Sequence, residues 1–209
     1  ELIWYPAEVN TSIRPGWFYH EEEDDQVKSL ETLISIYEHS VGGNATFLLN
    51  IPPTKEGLFH ENDVKRLHEI GEYQKKCYGK NLLEKASLFC EEQKKGFEIE
   101  NVRNDDYDSY FTTSDGQRKC RIHIKFDKEY DIHRVVLKEN IKKSQRIEAF
   151  RILTVHDGSE KCVFEGTVVG YKKIVLLDKI KIKELVKELV IEIIDSRVAP
   201  TLSYIGVFE

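Results

Sequence analysis

The feature that most constrains this chain is a change of hydrophobic period near residue 80. Beyond it, apolar residues alternate with polar ones. In Cys120-Arg121-Ile122-His123-Ile124-Lys125-Phe126 the even positions are apolar and the odd ones basic or imidazole, the mark of a strand buried on one face. Similar runs lie at 132 to 138, 147 to 155, 161 to 169, 173 to 177 and 202 to 208, punctuated by Asp157-Gly158, Gly166 and Gly170. Many short strands at this spacing predict an all-β sandwich. Residues 179 to 194 fit two patterns. Ile182, Leu185, Val186, Leu189, Val190 and Ile193 recur at helical spacing, while Leu189, Ile191 and Ile193 also alternate as a strand.

Before residue 80 the order is helix, strand, helix. Val27, Leu30, Leu33, Ile34 and Tyr37 predict an amphipathic helix over 26 to 39. Phe47-Leu48-Leu49, closed by Pro52-Pro53, predicts a short buried strand. A second helix is expected from Asn62 or Asp63, with Val64, Leu67, Ile70 and Tyr73 on one face. This is an α/β arrangement, in which Leu49-Asn50 at the strand's end is a place for function. The run Glu21-Glu22-Glu23-Asp24-Asp25 reads as a solvated helix N-terminus.

A formal charge of −6 argues against nucleic acid, whose binders concentrate Lys and Arg against phosphate. No apolar run approaches the roughly 20 residues that cross a bilayer, so no membrane partner is expected. Cys77, Cys90, Cys120 and Cys162 show no C-x-x-C spacing and read as buried free thiols, without a metal site. The sequence contains no methionine, so it reads as a processed product or part of a longer chain.

Three stretches resemble the α-L-fucosidases of glycoside hydrolase family 29, in particular the plant and bacterial subgroup. Trp4-Tyr5-Pro6-Ala7-Glu8-Val9-Asn10, then Ser12-Ile13-Arg14-Pro15-Gly16-Trp17-Phe18-Tyr19-His20, is similar to the family's W-x-P-A-E-x-D-x-S-I-R-P-G-W-F-x-H. Ser40-Val41-Gly42 and Leu48-Leu49-Asn50-Ile51-Pro52-Pro53 follow, with Gly57-Leu58 and Asp63. Glu139-Asn140-Ile141, Gln145-Arg146-Ile147, Gly166-Thr167-Val168-Val169-Gly170 and Ser203-Tyr204-Ile205-Gly206 complete the order. The resemblance implies an α/β plus all-β chain. Residues 1–78 would be the C-terminal part of a (β/α)8 catalytic barrel, and 82–209 a galactose-binding-like β-sandwich, or jelly roll. By analogy, 188 to 195 becomes a strand. A barrel needs about 250 residues, so most of it would lie outside this chain.

Enzymes of this family are retaining hydrolases, with a nucleophile and an acid/base about 5 Å apart. The resemblance places both before the first motif, so no catalytic residue is expected here and no cofactor is implied. Glu8 has three readings: a general acid, a group holding the leaving-group sugar, or a structural hydrogen bond at the rim. Trp17 offers an apolar wall for the C6 methyl of fucose, against plain core packing. Trp4 joins Trp17 and Glu8 as a substrate-binding expectation. His20 reads as a satisfied rim histidine or as a further contact.

Asn10 departs from the family's Asp and makes Asn10-Thr11-Ser12 a sequon; Asn44-Ala45-Thr46 is another. Together they are the sequence's pointers to a secreted, lysosomal or vacuolar setting. Asp105-Asp106-Tyr107-Asp108-Ser109-Tyr110-Phe111 could hold Ca²⁺ or stack on sugar, or be a solvated turn with two core aromatics. The expected partners are a fucosylated glycan and the remainder of the barrel. The alternative is a non-catalytic carbohydrate-binding or bracing module.

Overall fold

The computed structural model describes residues 7–177 and 184–209. The chain divides into two compact units, Glu1–Lys80 and Asn81–Glu209.

In the first unit, strand β1 (Ala7–Ser12) lies parallel to β2 (Ala45–Asn50), from Ala7 opposite Ala45 to Ser12 opposite Asn50. Parallel neighbours need a crossover, and helix α1 (Leu30–Ser40) lies on it. Helix α2 (Glu61–Tyr78) follows β2. α1 begins four residues later than its apolar spacing predicts. Ser29 caps it, its Oγ accepting the Thr32 N–H. Lys28 is meanwhile drawn to the end of β1, its Nζ donating to the carbonyls of Ser12 at 2.7 Å and Arg14 at 2.9 Å. The strand expected around 47 to 49 is present but open on one side, with Leu48 47% exposed. Paired residues of a parallel ladder share a face. One face therefore carries Glu8, Asn10, Thr46 and Leu48, all exposed; the other carries the half-buried Ala45, Phe47 and Leu49 of β2 beside the exposed Ala7 and Val9 of β1. The expected apolar face of α2 is only half-buried, and its buried residue is Asp63.

The second unit is built of antiparallel sheet. β3 (Ser87–Phe89), β5 (Cys120–Tyr130), β10 (Val186–Ser196), β7 (Ile147–His156) and β8 (Ser159–Gly166) form a five-stranded sheet in that spatial order. β12 (Tyr204–Phe208), β6 (Arg134–Lys138) and β9 (Lys173–Leu176) form a three-stranded sheet, and β4 (Phe111–Thr112) pairs with β11 (Thr201–Leu202). One core joins them: Ile122, Ile124, Leu189, Ile191 and Phe150 from the larger sheet pack with Val135, Leu137, Val175, Ile205 and Val207 from the smaller. Burying each of these side chains is worth about 1.5–3 kcal/mol.

The stretch with two patterns is strand from Val186 onward, while residues 178–183, with Ile182, lie outside the described residues. Its β-branched residues suit an extended backbone. As the middle strand, β10 buries Leu189, Val190 and Ile191 completely, on both faces. Helical and strand spacings coincide there because Leu189, Val190 and Ile191 are three consecutive apolar residues between Glu188 and Glu192. Between β7 and β8, Asp157 and Gly158 adopt φ of 48° and 75°, the left-handed pair of a two-residue hairpin turn.

Two polar groups fasten the loops. Asn81 opens the unit with all its amide capacity engaged: Oδ1 accepts the N–H groups of Leu83 and Val207, and Nδ2 donates to the Ile205 carbonyl and the Tyr204 hydroxyl. Glu139, fully buried, accepts the N–H groups of Arg146 (2.7 Å), Ile147 (3.0 Å) and Gly170 (2.7 Å). One carboxylate thus clasps two loops. Burial pushes the Glu139 carboxyl above its ordinary range, against the three N–H bonds that favour the anion. Folded protein therefore holds this proton more tightly than unfolded chain. The site's contribution is greatest below the unfolded-state value and declines as pH rises through the folded one.

Glu139→Ala orphans three buried donors and should lower the unfolding free energy by about 2–4 kcal/mol, whereas Glu139→Gln, which keeps the Oε1 acceptor, should lower it by about 1–2 kcal/mol. Urea unfolding followed by near-ultraviolet circular dichroism measures both, and a change below about 0.5 kcal/mol in each would remove the clasp from the stability of the sandwich.

Candidate functional site

The loop that follows β1 is organised by a buried cation. Arg14 has no solvent exposure. Its Nε donates to both carboxylate oxygens of Asp63, at 3.1 and 3.0 Å, and its Nη1 donates to Asp24 Oδ1 at 2.7 Å and to the His20 carbonyl at 3.4 Å. The guanidinium lies 5.0 Å from the centre of the Tyr19 ring. Burial works against this charge, yet the bonds to Asp24 and Asp63 carry the Arg14 pKa above its ordinary value. Nη2 is buried and has no hydrogen-bond partner among the described residues.

Asp24 is the second hub. It also receives the Tyr19 hydroxyl at 3.2 Å and faces His60 Nε2 at 3.3 Å. In the neutral ring His60 Nδ1 accepts the Asn62 N–H at the start of α2 and the proton sits on Nε2, which faces Asp24 in the neutral and the protonated ring alike. Asn62 Nδ2 donates to the Asp24 carbonyl at 2.9 Å. The acidic run is therefore no helix N-terminus. Glu21–Glu23 form one 3-10 turn, Glu23 accepts the Gly16 N–H at 3.2 Å, and Asp24 is neutralised from within.

This framework turns Tyr19 inward and leaves Trp17 46% and Phe18 75% exposed. Asn50, at the carboxyl end of β2, donates from Nδ2 to the Trp17 carbonyl at 2.8 Å and to Ser12 Oγ at 3.2 Å. Trp17 is thus displayed at the carboxyl ends of two parallel strands, on a backbone pinned by Asn50. The His20 side chain is exposed, and it is the backbone carbonyl that joins the Arg14 network. Glu8 is exposed on the open face of β1, four residues before Ser12, about 13 Å back along an extended strand. Trp4 lies outside the described residues. Sequence reasoning missed Asp24, Lys28 and His60 because their partners are remote or are backbone groups.

In the second unit, Asp105 pairs with Lys138 at 2.7 Å and Asp108 with Lys142 at 3.3 Å, while Phe111 is fully buried. Two of the loop's acids are spent on lysines, and Asp106 accepts the Asp108 N–H. Among the described residues, no three His, Cys, Asp or Glu side chains are grouped to hold a metal ion, and no helix is long and apolar enough to cross a membrane. Cys90 and Cys120 are buried, as expected of free thiols, but Cys162 is exposed and Cys77 half-buried. Cys162 points outward because it alternates with the buried Val163 along β8.

Residues 3–80 match the family model for α-L-fucosidase, and residues 60–148 match that for subunit 10 of the anaphase-promoting complex, in keeping with a galactose-binding-like jelly roll. Over 98% of its length the chain is 34% identical to α-L-fucosidase 1 of Arabidopsis thaliana, and it spans 41% of that relative. A crystal structure of a putative α-L-fucosidase from Bacteroides thetaiotaomicron superposes with a TM-score of 0.90 at 29% identity, over 99% of this chain and 45% of that one. A Ruminococcus gnavus family 29 fucosidase in complex with fucose superposes with a TM-score of 0.89 at 29% identity, over 99% of this chain and 41% of that one.

The Arg14 centre yields two predictions. Asp63→Ala strands a buried guanidinium and should cost about 3–5 kcal/mol of stability, read by thermal or urea unfolding. The hydrogen bond from Arg14, then the His60 charge and the Tyr19 hydroxyl, hold the Asp24 carboxyl below its ordinary range. A carboxyl depressed by folding gives stability that is present above its unfolded value, about 3.9, and is lost as pH falls through the folded value. Acidification below pH 4 should therefore loosen the loop, and Asp24→Asn should already be loosened at neutral pH with a flatter acid response. Trp17 emission in a Trp4→Phe background reports both; an unchanged acid profile in Asp24→Asn would exclude Asp24 as the titrating group.

Proposed function

Because the chain belongs to the α-L-fucosidase family, glycoside hydrolase family 29, we propose that it forms the C-terminal portion of a retaining α-L-fucosidase that removes terminal fucose from glycans. In this reading residues 1–78 are the last part of the (β/α)8 barrel, and 82–209 are the accessory sandwich. The observation that carries it is Trp17, half-exposed at the carboxyl ends of β1 and β2, the rim at which barrels of this kind bind ligands. A 6-deoxy sugar presents a methyl group, and an indole plane covers it without requiring a hydrogen bond. Asn50 positions that plane by holding the Trp17 carbonyl.

Glu8 projects from the open face of β1, the side that would face the barrel interior, and we assign it to the leaving-group sugar. Trp4 and His20 complete the set as further contacts. The nucleophile and the acid/base come from segments preceding this chain. The outer edges of the two-stranded β1/β2 sheet, unladdered among the described residues, support further strands beside it, and the unpartnered Arg14 Nη2 supports an acceptor outside the described residues. Strand edges and apolar faces of this kind seldom stay bare. The alternative, a carbohydrate-binding sandwich acting alone, rests on the 105 to 111 loop, where Asp105 and Asp108 are already paired with lysines and Asp106 accepts a backbone N–H of the loop.

The test is hydrolysis of aryl and oligosaccharide α-L-fucosides by the full-length protein; no turnover at any pH would sink the activity. Within that enzyme, Trp17→Ala should reduce kcat/KM by about 10–200-fold, the worth of an apolar contact of this size, and Asn50→Ala should give a smaller loss in the same direction. Glu8→Gln should raise KM with little change in kcat. A collapse of kcat that azide rescues, with loss of the basic limb of the pH profile, would instead make Glu8 the acid/base. Expressed alone, residues 1 to 209 should self-associate, and a monodisperse folded monomer would contradict the missing-strand reading.

A further inference from the structure

Three consecutive carbonyls where β1 ends are all served by one residue of the loop before α1. Lys28 donates its backbone N–H to the Ile13 carbonyl at 2.9 Å. Its Nζ donates to the carbonyls on either side, Ser12 at 2.7 Å and Arg14 at 2.9 Å. An ammonium on a flexible four-carbon stem carries three donors and can serve two carbonyls at once. The acidic run Glu21–Asp25 lies a few residues before it, yet Lys28 makes no ion pair among the described residues. A half-buried ammonium has been committed to main-chain oxygens in preference to nearby carboxylates.

The stretch that Lys28 holds also carries the aromatic display. Ser12 Oγ accepts the Arg14 N–H at 3.3 Å and Asn50 Nδ2 at 3.2 Å, and the same Nδ2 donates to the Trp17 carbonyl at 2.8 Å. Lys28, Ser12, Asn50 and Trp17 are therefore consecutive members of one hydrogen-bonded series. Ser12, Ile13 and Arg14 are buried, so little water is at hand to replace a lost donor.

Resting on the fucosidase reading above, we propose that Lys28 is a positioning residue for that reaction. It fixes the turn at the end of β1 and, through Ser12 and Asn50, the backbone from which the Trp17 indole meets the sugar. It touches no substrate. Without its two side-chain bonds the turn relaxes, the Trp17 carbonyl shifts with it, and the apolar wall is presented out of place.

In the full-length protein Lys28→Met, which keeps the stem and removes the donors, should lower kcat/KM for an aryl α-L-fucoside by about 5–50-fold. Lys28→Arg, which still carries donors for both carbonyls, should recover part of that loss. A double-mutant cycle separates positioning from general support of the fold. Because Lys28 acts through the indole, Lys28→Met should cost less than about 2-fold in a Trp17→Ala background, whereas a merely structural residue would add its full effect there. Hydrogen exchange read by mass spectrometry should show the peptide over residues 12 to 20 exchanging faster in Lys28→Met, with β10 unchanged. If Lys28→Met fails to fold, Ser12→Ala breaks the series at its next member and should show the same non-additivity with Trp17→Ala. No turnover by the unmodified protein removes the fucosidase reading, and this inference with it. Turnover in which the two losses multiply, or in which Lys28→Met stays within about 2-fold of the unmodified enzyme, overturns the positioning role alone.

Discussion

The first unit depends on one buried charge. Arg14 is sealed from solvent and shared between Asp63 on α2 and Asp24 in the loop after β1. An isolated guanidinium could not be buried at tolerable cost, so both carboxylates must be delivered wherever Arg14 goes. That requirement fixes the entry of α2 against the loop, and the cap of α2 shares in it, since His60 bridges the Asn62 N–H and Asp24. The aromatic display is a consequence. With Tyr19 held under the guanidinium and the Trp17 carbonyl held by Asn50, the backbone of the loop is fixed and the indole is left 46% exposed.

The second unit rests on a different principle. Its centre is β10, flanked by β5 and β7 over most of its length, with Leu189, Ile191 and Ile193 inward and Val190 between Glu188 and Glu192 on the other face. Charge appears only where it is cancelled. On the outer side Glu192 receives Arg121 and Arg151, and inside Glu139 is surrounded by backbone N–H groups. Glu139, Arg146, Ile147 and Gly170 all belong to the stretches that resemble the fucosidase C-terminal domain. Their spacing records the geometry of a clasp.

What the sequence revealed and what it hid divide along the range of the interactions. Alternation from Cys120 to Phe126 is set by neighbours two residues apart, and the strand appeared there with Ile122 and Ile124 inward. Asp157-Gly158 is a local turn signal and formed a turn. The start of α1 was misplaced because the groups holding residue 28 outside the helix are carbonyls on β1. The acidic run looked like a solvated helix end because Asp24's partners, Arg14 and His60, are remote in sequence and leave no periodic trace. The exposed Leu48 contradicted its apolar run for another reason: hydrophobicity announces that a face will be covered, and never by which chain segment.

The same division explains why the family signal is strong while the chemistry is thin. Within Ser12 to His20, most of the side chains and backbone groups are committed to the scaffold. Ser12 accepts from Asn50, Ile13 is buried, Arg14 is the hub, Gly16 donates its N–H to Glu23 and Tyr19 closes over the guanidinium. Only Trp17, Phe18 and His20 present side chains to solvent beside the exposed Pro15. A motif can therefore be long and specific while leaving few side chains for the proposed sugar contact, because holding the loop consumes the rest. Under that proposal a substitution at Asp24 or Asn50 would act on substrate by moving Trp17, although neither side chain need touch sugar.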